Sequence, residues 1–177
     1  MGQSELINRN TQENIDKLKI MINSALDELY NKDLHLIINK PLTDIGKDDE
    51  HHVGERAIVF RFAHYLQNLI EKDGTFNEFN LDCEYNRNGV STKKLPSFPN
   101  GTFPDVILHK RGSNDNNILV MEFKTYWNKD QHNDCNKIRE FTQSPGEYEF
   151  LYGVAILIEK SRDKVKIIEI INGNLLR

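Results

Sequence analysis

Four residues in this chain have types and spacings suited to hydrolysis at a phosphate. Glu122 and Lys124 lie two apart in the run NILVMEFK, so on a strand they project from one face. Ile118 to Met121, just before them, are continuously apolar, the pattern of a strand buried on both faces. An acid and a lysine at the end of such a strand are costly unless they meet partners or a cation. Asp105 follows Pro104 at the start of the preceding strand-like run, and a hairpin brings it beside that pair. Glu55 shares a helix face with Ile58, Val59 and Phe62, so a carboxylate sits on the face expected to meet the sheet. Converging carboxylates repel one another, and a divalent cation relieves them. Oxygen ligands without thiolate or imidazole favour Mg²⁺ or Mn²⁺ over zinc. A lysine beside them can orient a water or offset charge developing on a phosphate.

The elements that must position these residues follow from periodicity. Residues Thr11 to Tyr30 carry Ile15, Leu18, Ile22, Ala25, Leu26 and Leu29 at helical spacing, a stripe that must pack on the domain or on a second copy. After Leu34 to Ile38, the polar stretch NKPLTDIGKDDEHH reads as a linker or loop. The spacing predicts a second helix from His52 to Lys72, stopping before Gly74. A short strand is predicted in LDCEYNR and a long loop from Asn88 to Gly101. FPDVILHK and NILVMEFK flank the turn residues RGSNDN and read as a hairpin. A helix from Asp130 to Gln143 follows, and then two more strands, FLYGVAILIE and KVKIIEII, joined by SRDK. The order implies a mixed sheet with helices on its faces.

Glu55, then Pro104-Asp105, then Glu122-Phe123-Lys124 resembles the PD-(D/E)XK nuclease superfamily, which includes restriction endonucleases and Holliday-junction resolvases. The resemblance covers roughly residues 51–177. It implies an α/β restriction-endonuclease-like mixed sheet flanked by helices, here with an extra N-terminal helix and linker over residues 1–50. It further implies that Asp105, Glu122 and the carbonyl of Phe123 ligate Mg²⁺ or Mn²⁺, that Glu55 binds the metal directly or through water, and that Lys124 assists the nucleophilic water. The implied activity is endonucleolytic hydrolysis of phosphodiester bonds, foremost in DNA, with RNA sharing the same chemistry. The glutamine–tyrosine pair of the RecB-like subgroup is not matched, since Gln143 and Tyr148 are five apart across Ser144-Pro145-Gly146. The alternative is a catalytically silent, nuclease-like module that binds a protein or a nucleic acid.

Other residues carry two readings each. Glu84 sits beside the metal site and Arg87 on a substrate phosphate, or both face water from an edge strand. Lys93, Lys94, Lys110 and Arg111 form a basic patch for a nucleic-acid backbone, or a solvated loop. Lys129, Lys137 and Arg139 line the same groove, or pair with Asp130, Asp134 and Glu140 on a helix surface. His51-His52 with Glu55 lacks an HExxH pattern and reads as a polar helix start. Tyr126 and Trp127 stack on a base or, as expected here, pack under the following helix, and Tyr148 and Tyr152 are expected to sit at the core edge. A formal charge of −4 argues against a tight, unaided DNA binder, so a protein partner for targeting is a further expectation. No run is long enough to span a bilayer, and the opening MGQSELINRNTQEN lacks the apolar stretch of a secretory signal. Two cysteines make neither a disulfide framework nor a four-ligand zinc site, so a cytoplasmic protein with free thiols is expected. The N-terminal stripe also suggests a homodimer able to cut both strands.

Overall fold

A computed structural model describes residues 11–38, 52–128 and 132–176 of the 177. The predicted linker up to and including His51, and Lys129 and Asp130, lie outside the described residues. Helix α1 (Thr11–Lys32) leads into one short turn, α2 (Leu34–Ile37), and then α3 (Glu55–Asp73). Next come β1 (Asn80–Cys83), a small hairpin of β2 (Arg87–Asn88) and β3 (Ser91–Thr92), β4 (Val106–His109) and β5 (Leu119–Thr125). Helix α4 (His132–Thr142) crosses to β6 (Tyr152–Ile158), and β7 (Lys166–Ile171) and β8 (Asn174–Leu175) finish the chain. Six strands form one mixed sheet in the order β1-β4-β5-β6-β7-β8. Only β5 and β6 run parallel; the other neighbours are antiparallel.

Strand alternation sorts the core into two layers. Leu119, Met121 and Phe123 of β5 face the cluster built by α1 and α3, together with Val106, Leu108, Val154 and Ile156. Val120 faces the opposite cluster with Ile107, Ala155 and the α4 residues Ile138 and Phe141. The expected hairpin is present, with Val106 opposite Met121 and Leu108 opposite Leu119. Gly153 lets α4 approach β6 closely: a Cβ there would lie 2.3 Å from Ile138 Cγ2 and 2.8 Å from Thr142 Cγ2. Gly153→Ala is therefore expected to destabilise by about 1–3 kcal/mol through overpacking. Urea unfolding would show it as a lowered midpoint.

The α1 stripe is covered by the chain itself. Ile15, Leu18, Ile22, Leu26 and Leu29 are each at most 1% exposed. Burying five such side chains contributes on the order of 10 kcal/mol, comparable with the roughly 5–15 kcal/mol net stability of a whole domain. Polar ties add register: the Tyr30 hydroxyl donates to the Glu159 carbonyl at 2.6 Å, and Lys19 pairs with Glu169 at 2.9 Å. Of the two partners expected for this stripe, the domain itself covers it, so the stripe no longer argues for a homodimer.

Other expectations shift in detail. Helix α3 starts at Glu55 rather than His52, after the extended Gly54, and ends where Gly74 takes φ +83°. The strand in LDCEYNR stops at Cys83, because Glu84 turns the chain at φ +50°. The predicted loop from Asn88 holds the β2–β3 hairpin and a Leu95–Phe98 bridge. Tyr148 and Tyr152 are core residues, 2% and 1% exposed, rather than core-edge ones. The Tyr152 hydroxyl donates to Glu169 at 2.5 Å, and Tyr148 meets both the N–H and the carbonyl of Lys94.

Candidate active site

One end of the sheet, where β4 begins and β5 finishes, receives the N-terminus of α3. Ring packing of Phe62 on Phe123, with centroids 4.9 Å apart, sets α3 against β5. Glu55, two turns before Phe62 on α3, and Lys124, next to Phe123 on β5, flank that contact. Asp105, one residue before β4, accepts the Phe123 N–H through Oδ2 at 2.7 Å. Lys124 Nζ lies 3.6 Å from Glu55 Oε1. Glu55 and Asp105 line one cleft of about 410 Å³ together with Arg56, Glu84, Phe60 and Phe103.

The electrostatics of this corner are only partly relieved. Burial pushes the Asp105 carboxyl up to about 6; the Phe123 N–H and Lys137 oppose that rise, and the nearby Glu55 adds to it. Glu55 Oε2 is buried without a hydrogen-bond partner. An orphaned carboxylate oxygen beside a second, destabilised carboxylate suits a hard cation better than it suits apolar packing. By donor chemistry, Asp105 and Glu55 fit Mg²⁺ or Mn²⁺.

Glu122 departs from the expected convergence. It projects to the α4 side, 3% exposed, and both its oxygens meet Lys137 Nζ, at 2.8 and 2.9 Å. The same ammonium donates to the Phe103 carbonyl at 2.6 Å. Among the described residues, no group of three or more His, Cys, Asp or Glu stands close enough to hold a metal ion. The structure thus brings Glu55, Asp105 and Lys124 together and places Glu122 in a buried ion pair. Lys137, read from sequence as a groove or surface residue, is that buried partner. Its spacing of four from the buried Phe141 was the available signal.

The remaining candidates divide clearly. Glu84 lines the cleft and pairs with Arg56 at 2.5 Å. Arg87 is exposed on the small hairpin. Lys93 is not on a solvated loop or a basic patch. It is 1% exposed, donates to the Arg87 carbonyl at 2.5 Å, and lies over the Tyr85 and Tyr148 rings. Burial pushes its ammonium down to about 8, with Glu147 opposing. Lys94 is exposed, whereas Lys110 pairs with Glu78 and Arg111 with Asp82. That patch is therefore largely neutralised locally. Trp127 stacks on His52 at 4.1 Å, and Tyr126 meets the same ring edge-on, so both pack toward the entry of α3 rather than under α4. Two aromatic residues escaped the sequence reading: Phe60, off the buried stripe of α3, and Phe103, beside Pro104-Asp105. Both are exposed at the cleft.

No helix among the described residues is long and apolar enough to cross a membrane. No protein-family model, curated protein or solved structure matches the chain.

Proposed function

We propose that this chain is a metal-dependent endonuclease of the restriction-endonuclease-like type, hydrolysing phosphodiester bonds in DNA. The observation that carries the reading is the cleft itself. A lysine held by one carboxylate stands at the end of a buried strand whose backbone fixes a second carboxylate. Asp105 and Glu55 would hold Mg²⁺ or Mn²⁺, with Glu122 a further ligand once released from Lys137. When bound, such an ion lowers the pKa of a coordinated water and offsets phosphate charge. Lys124 presents its ammonium to the attacking water or to a non-bridging phosphate oxygen. Glu55 limits where that ammonium can point. Asp105 cannot swing away without giving up the Phe123 N–H. In the hydrolysis, the water oxygen bonds to phosphorus and gives up a proton to solvent as one bridging P–O bond breaks, and the leaving oxygen takes up a proton from solvent.

A second reading, a silent nuclease-like module, draws support from the Lys137–Glu122 pair, because an internal ammonium already stands where a cation would. Cleavage of supercoiled and linear DNA in Mg²⁺ or Mn²⁺ decides between them. Wild type is expected to cut, EDTA to stop it, and Asp105→Ala and Lys124→Ala each to lower the rate by roughly 10²-fold or more. A folded wild type that cuts nothing and binds no metal in calorimetry would favour the silent module.

A further inference from the structure

We infer that the cleft takes an unpaired DNA strand, whose bases stack on Phe60 and Phe103; this rests on the nuclease reading of the same site and narrows its substrate. The chain has nine phenylalanines, six tyrosines and one tryptophan, all among the described residues. Only Phe60 and Phe103 are more than half exposed, at 63% and 54%. Both line the cleft that holds Asp105 and Glu55. Exposing a phenyl ring forgoes its burial, and single exposed apolar residues are ordinary. Two rings, the chain's most exposed aromatics, lining one cleft with a pair of carboxylates call for an occupant with flat apolar faces and a charged backbone.

Both rings stand on fixed supports. Phe60 belongs to α3 beside the buried Val59, so helix packing sets its direction. Phe103 is held through its carbonyl by the buried Lys137 ammonium and is followed by buried Pro104. Arg56, 87% exposed on its side chain and paired with Glu84, stands at the same cleft and can exchange that partner for a phosphate. Rings anchored this way lose little freedom on binding, as stacking platforms for single strands require. In an intact duplex the base faces are covered by their neighbours, and reaching them requires unstacking. Single strands, flaps and frayed ends meet the rings without that cost.

The test measures binding of a short single-stranded oligonucleotide containing 2-aminopurine, and of its blunt duplex, to the full chain carrying Lys124→Ala in Mg²⁺. The single strand is expected to bind at least tenfold tighter than the duplex. Phe60→Ala and Phe103→Ala should each weaken it by about tenfold, and Phe→Trp should restore it. The fluorescence change of the stacked 2-aminopurine should vanish with the alanine variants. Because both rings are exposed, these truncations leave the core intact, which thermal unfolding would verify. Equal affinity for strand and duplex, or affinity indifferent to both rings, overturns the inference. If the otherwise unmodified chain cuts DNA while the Phe→Ala variants cut equally fast, the stacking site fails and the nuclease stands. Ring-dependent strand binding without any cutting by the unmodified chain leaves the stacking site and removes the nuclease. Absence of strand binding overturns the stacking site outright.

Discussion

Replacing Lys137 with methionine is expected to cost roughly 3–5 kcal/mol of stability, far more than any exposed ion pair in this chain. The methionine keeps most of the apolar stem, so the loss isolates the ammonium. That ammonium serves both oxygens of Glu122 and the Phe103 carbonyl, and the two side chains are only 11% and 3% exposed. Without it, a carboxylate stays buried with no countercharge. By contrast Arg56–Glu84, with side chains 87% and 40% exposed, is worth about 0–1 kcal/mol. Pairing Lys137→Met with Glu122→Gln should recover most of the loss, because neither charge then remains. Urea unfolding of the four proteins in the double-mutant cycle measures the coupling. A single variant within about 1 kcal/mol of wild type would mean that the pair does not hold Glu122 in solution. The cycle also bears on metal. If Lys137 occupies the place of a cation, Mg²⁺ should stabilise Lys137→Met more than wild type, through ordinary binding linkage. The silent-module reading expects no such difference.

The placement of Glu55, Asp105 and Lys124 was legible because each depends on a local period. A strand repeat of two puts Lys124 on the face of Glu122, a turn between two β-rich runs returns Asp105 to that strand, and a helical repeat aims Glu55 at the sheet. What escaped depends on contacts across layers. Glu122 and Lys124 share a face at β5, yet their long side chains part, one toward Lys137 of α4 and the other toward Glu55 of α3. No period in one strand can specify that division. Lys93 is similar: a loop lysine by composition, it is buried because Tyr85 and Tyr148 close over it. The parallel pairing of β5 with β6 likewise arises from the crossover through α4, a long-range contact that neither strand's own residues encode. The α1 stripe announced a partner, and only the fold could say that the partner was the chain's own sheet and α3.

Asp105→Asn is expected to do two opposite things: abolish cleavage and make the metal-free protein more stable at neutral pH. Asparagine still accepts the Phe123 N–H through its amide oxygen, so local geometry survives. What disappears is a negative charge that burial and Glu55 both disfavour. The folded carboxyl is raised from 3.8 to about 6. Its contribution to stability is therefore fully present below the unfolded value and is lost as pH rises through about 6. Above that pH, wild type carries a penalty of roughly 1–3 kcal/mol that the variant lacks. The gap between the two should be near zero at pH 3.5–4 and reach its full size by about pH 7, with EDTA present throughout. Added Mg²⁺ should then stabilise wild type and leave the variant unmoved, because the neutral amide gives up the cation as well as the repulsion. A variant less stable than wild type at neutral pH would mean that the Asp105 charge is already satisfied within the chain. That result would withdraw the strongest physical reason for placing a cation between Asp105 and Glu55. Stability gained and activity lost at one atom is the pattern expected where a fold keeps a destabilised group for chemistry.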